Sequence, residues 1–148
     1  MPAPYTNMGY TAQLFYGTAG VTATNRVSNC KDLNFPIEHS YGDTTVRGDG
    51  TTVPIQTEKI VSRRPTITWT MQSEPNDTAL AALRAVCISA TPVASLVVKE
   101  RNSAGAEITI VDGDFNLKVT KKAPLGGSLE YDFEATPSRD YNRLPALT

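Results

Sequence analysis

Residues 41–59 read YGDTTVRGDGTTVPIQTEK, and between Gly42 and Pro54 the aliphatic residues are Val46 and Val53. Both flanks are patterned like strands, so the chain makes a long connection over about residues 42–54. Compact domains usually join neighbouring strands through about two to five residues, and a longer structureless link is functional, disordered or a sign of misplaced elements. The use of this loop is therefore the central question.

Outward from the loop, the pattern is mostly that of strands. On the N-terminal side Ala12, Leu14 and Tyr16 alternate on one face, and a break follows at Gly17–Gly20. A first hairpin with residues near 26–37 is expected, with Val27, Leu33, Phe35 and Ile37 apolar and Pro36 marking an irregularity or an edge. On the C-terminal side Ile67, Trp69 and Met71 alternate with Thr66, Thr68 and Thr70, a half-buried strand. Further strands are expected over SLVVKE, over AEITIV up to a turn at Asp112-Gly113, along Phe115, Leu117 and Val119, and along Leu129, Tyr131 and Phe133.

One stretch changes period. In NDTALAALRAVCIS, Leu80, Leu83 and Cys87 fall three and four apart, joined by Ala79 and Val86, which predicts an amphipathic helix over about 76–89. Asn76 or Asp77 is the expected cap and Thr91-Pro92 the stop. The fold class is mainly β: a two-sheet β-sandwich or small barrel with one flanking α-helix. At 148 residues the chain is expected to form a single domain, with short arms over about 1–8 and 138–148.

Composition excludes several functions. Fourteen basic residues against fifteen acidic ones, a net charge of -1, do not make a tight nucleic-acid binder. The opening MPAPYTNMGYTAQLFYG has no basic then apolar leader pattern, and no later apolar run reaches spanning length, so no membrane role and no export by that route are expected. Cys30 and Cys87 stand far apart and read as reduced, packed thiols.

Catalytic groups are scarce. His39 is the one histidine, placed beside the loop with no nucleophile motif near it. No P-loop or dinucleotide fingerprint occurs, and no catalytic residue, cofactor or metal site is assigned. Glu130, Asp132 and Glu134 alternate on one strand face without His or Cys partners, which suits a solvated face better than a metal centre. Arg47-Gly48-Asp49 spells an adhesion tripeptide, but in a Gly-rich loop such a string arises easily by chance. Tyr5, Tyr10 and Tyr16 lack the basic companions of a base-stacking surface.

Four stretches together resemble phage tail tube proteins, the major tail proteins of long-tailed phages or prophages: YTAQLFYGTAG, VSNCKDLNFPIEHSYGDTTVRGDG, SRRPTITWTM and APLGGSLEYDFEATPSRDYNR. The resemblance rests on their order and spacing and covers nearly the whole chain. It implies a non-enzymatic virion subunit that forms stacked, usually hexameric rings, made and assembled in the host cytoplasm and placed in the virion tail. The loop residues Asp43, Thr44, Thr45, Val46, Arg47, Gly48, Asp49, Gly50, Thr51 and Thr52 would then reach an adjoining subunit or ring. The implied partners are further copies and the tape-measure, terminator and distal tail proteins, with double-stranded DNA passing without tight binding.

A channel for DNA should be neutral or acidic, because each lysine facing phosphate adds affinity by counterion release. Glu130, Asp132 and Glu134 are the expected lumen-facing residues, with the Thr66, Thr68 and Thr70 face as the other possibility. Lys118, Lys121 and Lys122 are expected elsewhere. The alternatives are a secretion-system tube protein, a single-ring distal tail or head-tail joining protein, a small β-barrel ligand-binding module, and a hydrolytic enzyme built around His39.

Overall fold

The computed structural model describes residues 12–48, 50, 52–102, 104–141 and 143–147. The expected arm over residues 1–8, together with Tyr10, lies outside these, as do Asp49 and Thr51 of the loop. The elements in chain order are β1 (Gln13–Thr18), β2 (Asn25–Arg26), β3 (Lys31–Asn34), β4 (Ile37–Asp43), β5 (Glu58–Pro65) and β6 (Ile67–Gln72). Then come α1 (Thr78–Ile88), β7 (Val93–Arg101), β8 (Glu107–Lys122), β9 (Glu130–Pro137) and β10 (Ala146–Leu147). One antiparallel sheet has the order β2-β1-β7-β8-β9-β6-β3, with β10 also on β8; β4 and β5 form a second sheet of two strands.

Chain connectivity forces the large sheet to curl. Its two edges, β2 and β3, are joined by residues 27–30. Five residue steps from Arg26 to Lys31 span at most about 18 Å. The edges of a flat seven-stranded sheet would stand roughly 29 Å apart at the usual strand spacing. The sheet therefore rolls into an incomplete barrel, and its concave face becomes the core.

That concave face carries Leu14, Trp69, Met71, Leu96, Val98, Val111, Phe115, Leu117, Tyr131 and Phe133, all buried, with Val27 packed among them. Trp69 and Phe133 are register partners and stack with ring centroids 5.1 Å apart. Helix α1 adds Ala79, Leu80 and Leu83 to the same cluster. Its cap is Asp77, whose carboxylate accepts from the amides of Ala79 (3.1 Å) and Leu80 (3.2 Å), satisfying donors that the first turn cannot. Asn76, the other expected cap, adopts φ 64 just before it.

Three sequence expectations are corrected. The segment 26–37 does not form one hairpin strand with β1: Asn25 and Arg26 pair with it, whereas Lys31 and Asn34 pair with Thr70 and Thr68 across the barrel opening. Asn29 redirects the chain, donating to Gln72 O and to Asp77 Oδ2, and Asp32 takes the left-handed φ of 53. Asp112-Gly113 is no turn but the middle of the sixteen-residue strand β8. Gly113 is required there for another reason, since a Cβ would lie 2.4 Å from Pro145 Cα. Lastly, the loop is shifted. Gly42 and Asp43 still pair with Lys59 and Glu58, and Thr44 N donates to Thr57 O (3.0 Å), so the connection runs over 44–57 rather than 42–54.

Candidate assembly surfaces

β4 and β5 form a ribbon that leaves the barrel at Pro36 and Pro65, where Thr66 N donates to Pro36 O (2.9 Å). Almost every residue of the ribbon is exposed. One face presents Ile37, His39 and Tyr41 opposite Pro65, Arg63 and Ile60, and a bulge between Ser40 and Tyr41 sets Val61 beside Gly42 on the other. Tyr41 and Ile60 are half exposed, and the tip residues Val46, Val53 and Ile55 are 76%, 86% and 82% exposed. A two-stranded hairpin standing alone is marginal in water, and this one leaves its large apolar side chains uncovered.

The sequence-expected loop residues sit at the distal end of this ribbon. Asp43 Oδ1 accepts from Thr45 N (2.8 Å), and that bond holds the Asp43 carboxyl below its usual range. Thr44 and Thr57 share a hydroxyl bond of 2.8 Å, and Thr57 N donates to Thr45 Oγ1 (3.0 Å). Val46, Arg47, Gly48 and Thr52 follow as exposed residues, with Gly48 and Gly50 at positive φ. Thus the base of the connection is pinned by threonines while its tip holds the exposed valines. His39 lies on the ribbon, its ring centroid 6.3 Å from that of Tyr41.

A second surface is the convex face of β8, β9, β6 and β3. Strand alternation places Glu130, Asp132 and Glu134 there, as the sequence predicts, and pairs them with Gln72, Thr70 and Thr68 on one side. On the other side the partners are Lys122, Thr120 and Lys118. Register thus puts Lys118 and Lys122 on the same face as the carboxylates, so a channel lined by Glu130, Asp132 and Glu134 would carry these two lysines as well, while Lys121 alternates to the opposite face. Lys31 joins from β3.

The face is consequently charge-compensated. Lys122 Nζ lies 2.6 Å from Asp132 Oδ2, Lys31 Nζ lies 2.8 Å from Glu130 Oε1, and Thr70 Oγ1 donates to Asp132 Oδ1 (2.7 Å). The Lys122 bond, with help from Thr70, holds the Asp132 carboxyl below its ordinary value, and the same carboxylates raise Lys122 and Lys31. Asp32, Asn34, Lys118 and Glu134 help line a shallow groove of about 320 Å³ over this face. Among the described residues no group of three His, Cys, Asp or Glu side chains is placed to hold a metal.

The convex face around Ser95 of β7 and Asp112 and Asp114 of β8 is covered instead. There Gly20 and Arg143 reach side chains of β7 and β8, and Arg143, which also meets Thr22, makes most of the contacts. Its guanidinium donates to Asp112, to Asp114 Oδ1 (3.1 Å), to Ser95 Oγ (2.8 Å) and to Thr22 Oγ1 (3.1 Å). Asp114 is fully buried and also accepts from Gly20 N (2.9 Å). The sequence reading missed this cluster. Its one available signal was an acid–glycine–acid run, Asp112-Gly113-Asp114, inside an otherwise strand-like segment.

This combination of curled sheet, single flanking helix and projecting ribbon defines a tail-tube-like β-fold. Chains of contractile injection assemblies share it. A chain of the anti-feeding prophage cap, which terminates the tube, aligns over 100% of this chain and 95% of its own length, with TM-score 0.58 and 13% identity. A chain of the sheath/tube terminator of the extracellular contractile injection system PVC covers 96% and 97%, with TM-score 0.58 and 11% identity. A chain of the PVC sheath-tube complex covers 97% and 93%, with TM-score 0.55 and 12% identity. No family model and no curated protein matches the sequence. At these identities the common property is the fold.

Proposed function

We propose that this chain is a non-enzymatic subunit of a tail or injection tube, assembling with copies of itself into rings that stack as the tube or close its end. The observation that carries this reading is the β4–β5 ribbon: a two-stranded sheet whose Tyr41, Ile60, Val53 and Ile55 are left exposed by the described residues. A neighbouring copy supplies that cover, and closure of a ring compensates for ordering the Gly- and Thr-rich tip by linking the contacts. Six copies per ring, tape-measure and distal partners, assembly in the host cytoplasm and a place in the virion tail belong to the same reading. Membership of a cap and a terminator among the fold's other bearers keeps the tube-closing role beside the tube itself.

If the convex charged face lines the channel, Lys31, Lys118 and Lys122 offset Glu130, Asp132 and Glu134 and leave the wall close to neutral. An acidic wall is therefore a weaker proposal than a compensated one. Such a wall still suits double-stranded DNA in transit, because lysines already paired to carboxylates release few counterions to phosphate.

Electron microscopy of the purified chain tests the reading. Hollow tubes are expected for a tube subunit, single rings for a terminator; monomers at high concentration overturn both. Removal of Val46 to Ile55, which leaves the Thr44–Thr57 bridge to close the ribbon, should give a folded chain that no longer assembles. Unchanged assembly would remove the ribbon tip from the mechanism.

A further inference from the structure

β9 leaves β8 opposite Phe115, where Pro137 is its last partner. Beyond that point Ser138 N still reaches Asp114 O (3.0 Å), but the β8 edge from the Asp114 amide back to Val111 would stand open. It is occupied by the chain's own C-terminal segment: Asp114 N donates to Arg143 O (3.0 Å), and Ala146 and Leu147 pair with Asp112 and Val111. Little apolar burial holds this segment, since Leu144 is 50% and Leu147 37% exposed. The hold comes from the Arg143 ion pairs and from the fit of Pro145 against Gly113, where no side chain could be accommodated.

We propose that residues 143–147 are an intramolecular strap that seals this part of the β8 edge against strand pairing by another copy of the chain. Arg143 is the pin and Gly113 the seat. An open edge presents unpaired amides and carbonyls to any other strand, and a two-residue strand preceded by proline blunts it without offering a new template. The strap therefore stays on its own subunit when copies assemble. That the competitor is another copy rests on the assembly reading; the strap itself does not.

Amide hydrogen exchange on the full-length chain tests it, comparing wild type with Arg143→Ala and with Gly113→Ala, which leaves every charge in place and displaces Pro145 sterically. In both variants the Asp114 amide should exchange roughly tenfold faster or more, while amides of the β6–β9 ladder keep wild-type rates. Sedimentation should show new concentration-dependent species in which Asp114 protection returns, as foreign strands take the edge. Should Arg143→Ala fail to fold, Gly113→Ala and Arg143→Lys carry the same comparison. Wild-type exchange at Asp114 in the variants, or a freed strap with no new association, overturns the proposal. Failure of the wild type to form rings would sink the tube reading and leave the Asp114 result standing.

Discussion

Arg143 Nη1 lies 3.1 Å from Oδ1 of Asp114, a carboxylate with no exposed surface, and so ties the C-terminal segment to the middle of β8. Asp114 also receives Gly20 N, and its backbone bonds Arg143 O and Ser138 N, joining three segments at one residue. Removing this carboxylate takes the buried acceptor from Gly20 N and leaves Arg143 with Asp112 as its one remaining carboxylate among the described residues. Asp114→Ala is expected to cost about 3 kcal/mol in urea denaturation; a loss below about 1 kcal/mol would show that the network does not hold these segments.

The helix depends on one cap. Asp77 satisfies the amides of Ala79 and Leu80 and accepts from Asn29 Nδ2 (3.0 Å), so it also steadies the crossing from β2 to β3. Asp77→Ala should lower stability by about 1–2 kcal/mol, the upper part reflecting the Asn29 bond. Asp77→Ser, which keeps a cap acceptor, should recover most of it. Equal losses in thermal melts of the two variants would contradict this account.

Tyr41 and Ile60 are register partners on the exposed ribbon. A Tyr41→Glu, Ile60→Lys double variant, whose charges oppose each other across the ribbon, should keep its secondary structure and unfold within about 0.5 kcal/mol of wild type, because both side chains are half exposed. Electron microscopy should show no rings or tubes. Normal assembly of this variant would move the contact off this ribbon face.

The Lys122 bond depresses the Asp132 carboxyl, with Thr70 contributing second. In the unfolded chain this carboxyl protonates near its ordinary value of about 4, while the folded chain still resists the proton. The stabilisation is thus fully present above about pH 4 and is lost as pH falls through the lower folded value. Melting temperature from pH 6 down to pH 2.5 should fall less steeply for Asp132→Asn than for wild type. The difference should be small and shrink with added salt, as for other exposed pairs; parallel curves would show that the pair contributes nothing.

Burial, followed by the nearby Asp32, raises the Cys30 thiol to about 11, and burial raises Cys87 as well. At pH 8 only roughly a thousandth of Cys30 is thiolate, so alkylation should be far slower than for a free thiol. Mass spectrometry after timed iodoacetamide treatment checks this. Rapid labelling of Cys30 in native buffer would mean that the segment between β2 and β3 opens readily.

Much of the architecture was legible because it follows from local periods. Alternation gave the faces of β1, β6, β8 and β9, and the period change at Asn76–Ser89 gave α1. Asp112-Gly113 was misread because a glycine that permits close backbone approach looks, in sequence, the same as one that permits a turn. The neighbours of the lysines were not legible for a related reason. Alternation within β8 did set Lys118 apart from Leu117, but which β9 residues it would meet depended on register.

The sequence alone therefore determined the β class, the position of the helix and the existence of a long polar excursion, since each depends on neighbours within a few residues. Tertiary structure decided that the excursion crowns a free-standing ribbon, that lysines and carboxylates share one face, and that Arg143 closes on Asp114. Those facts join residues tens of positions apart, and register, sheet curl and the pairing of charge with charge settle only when the whole chain has packed.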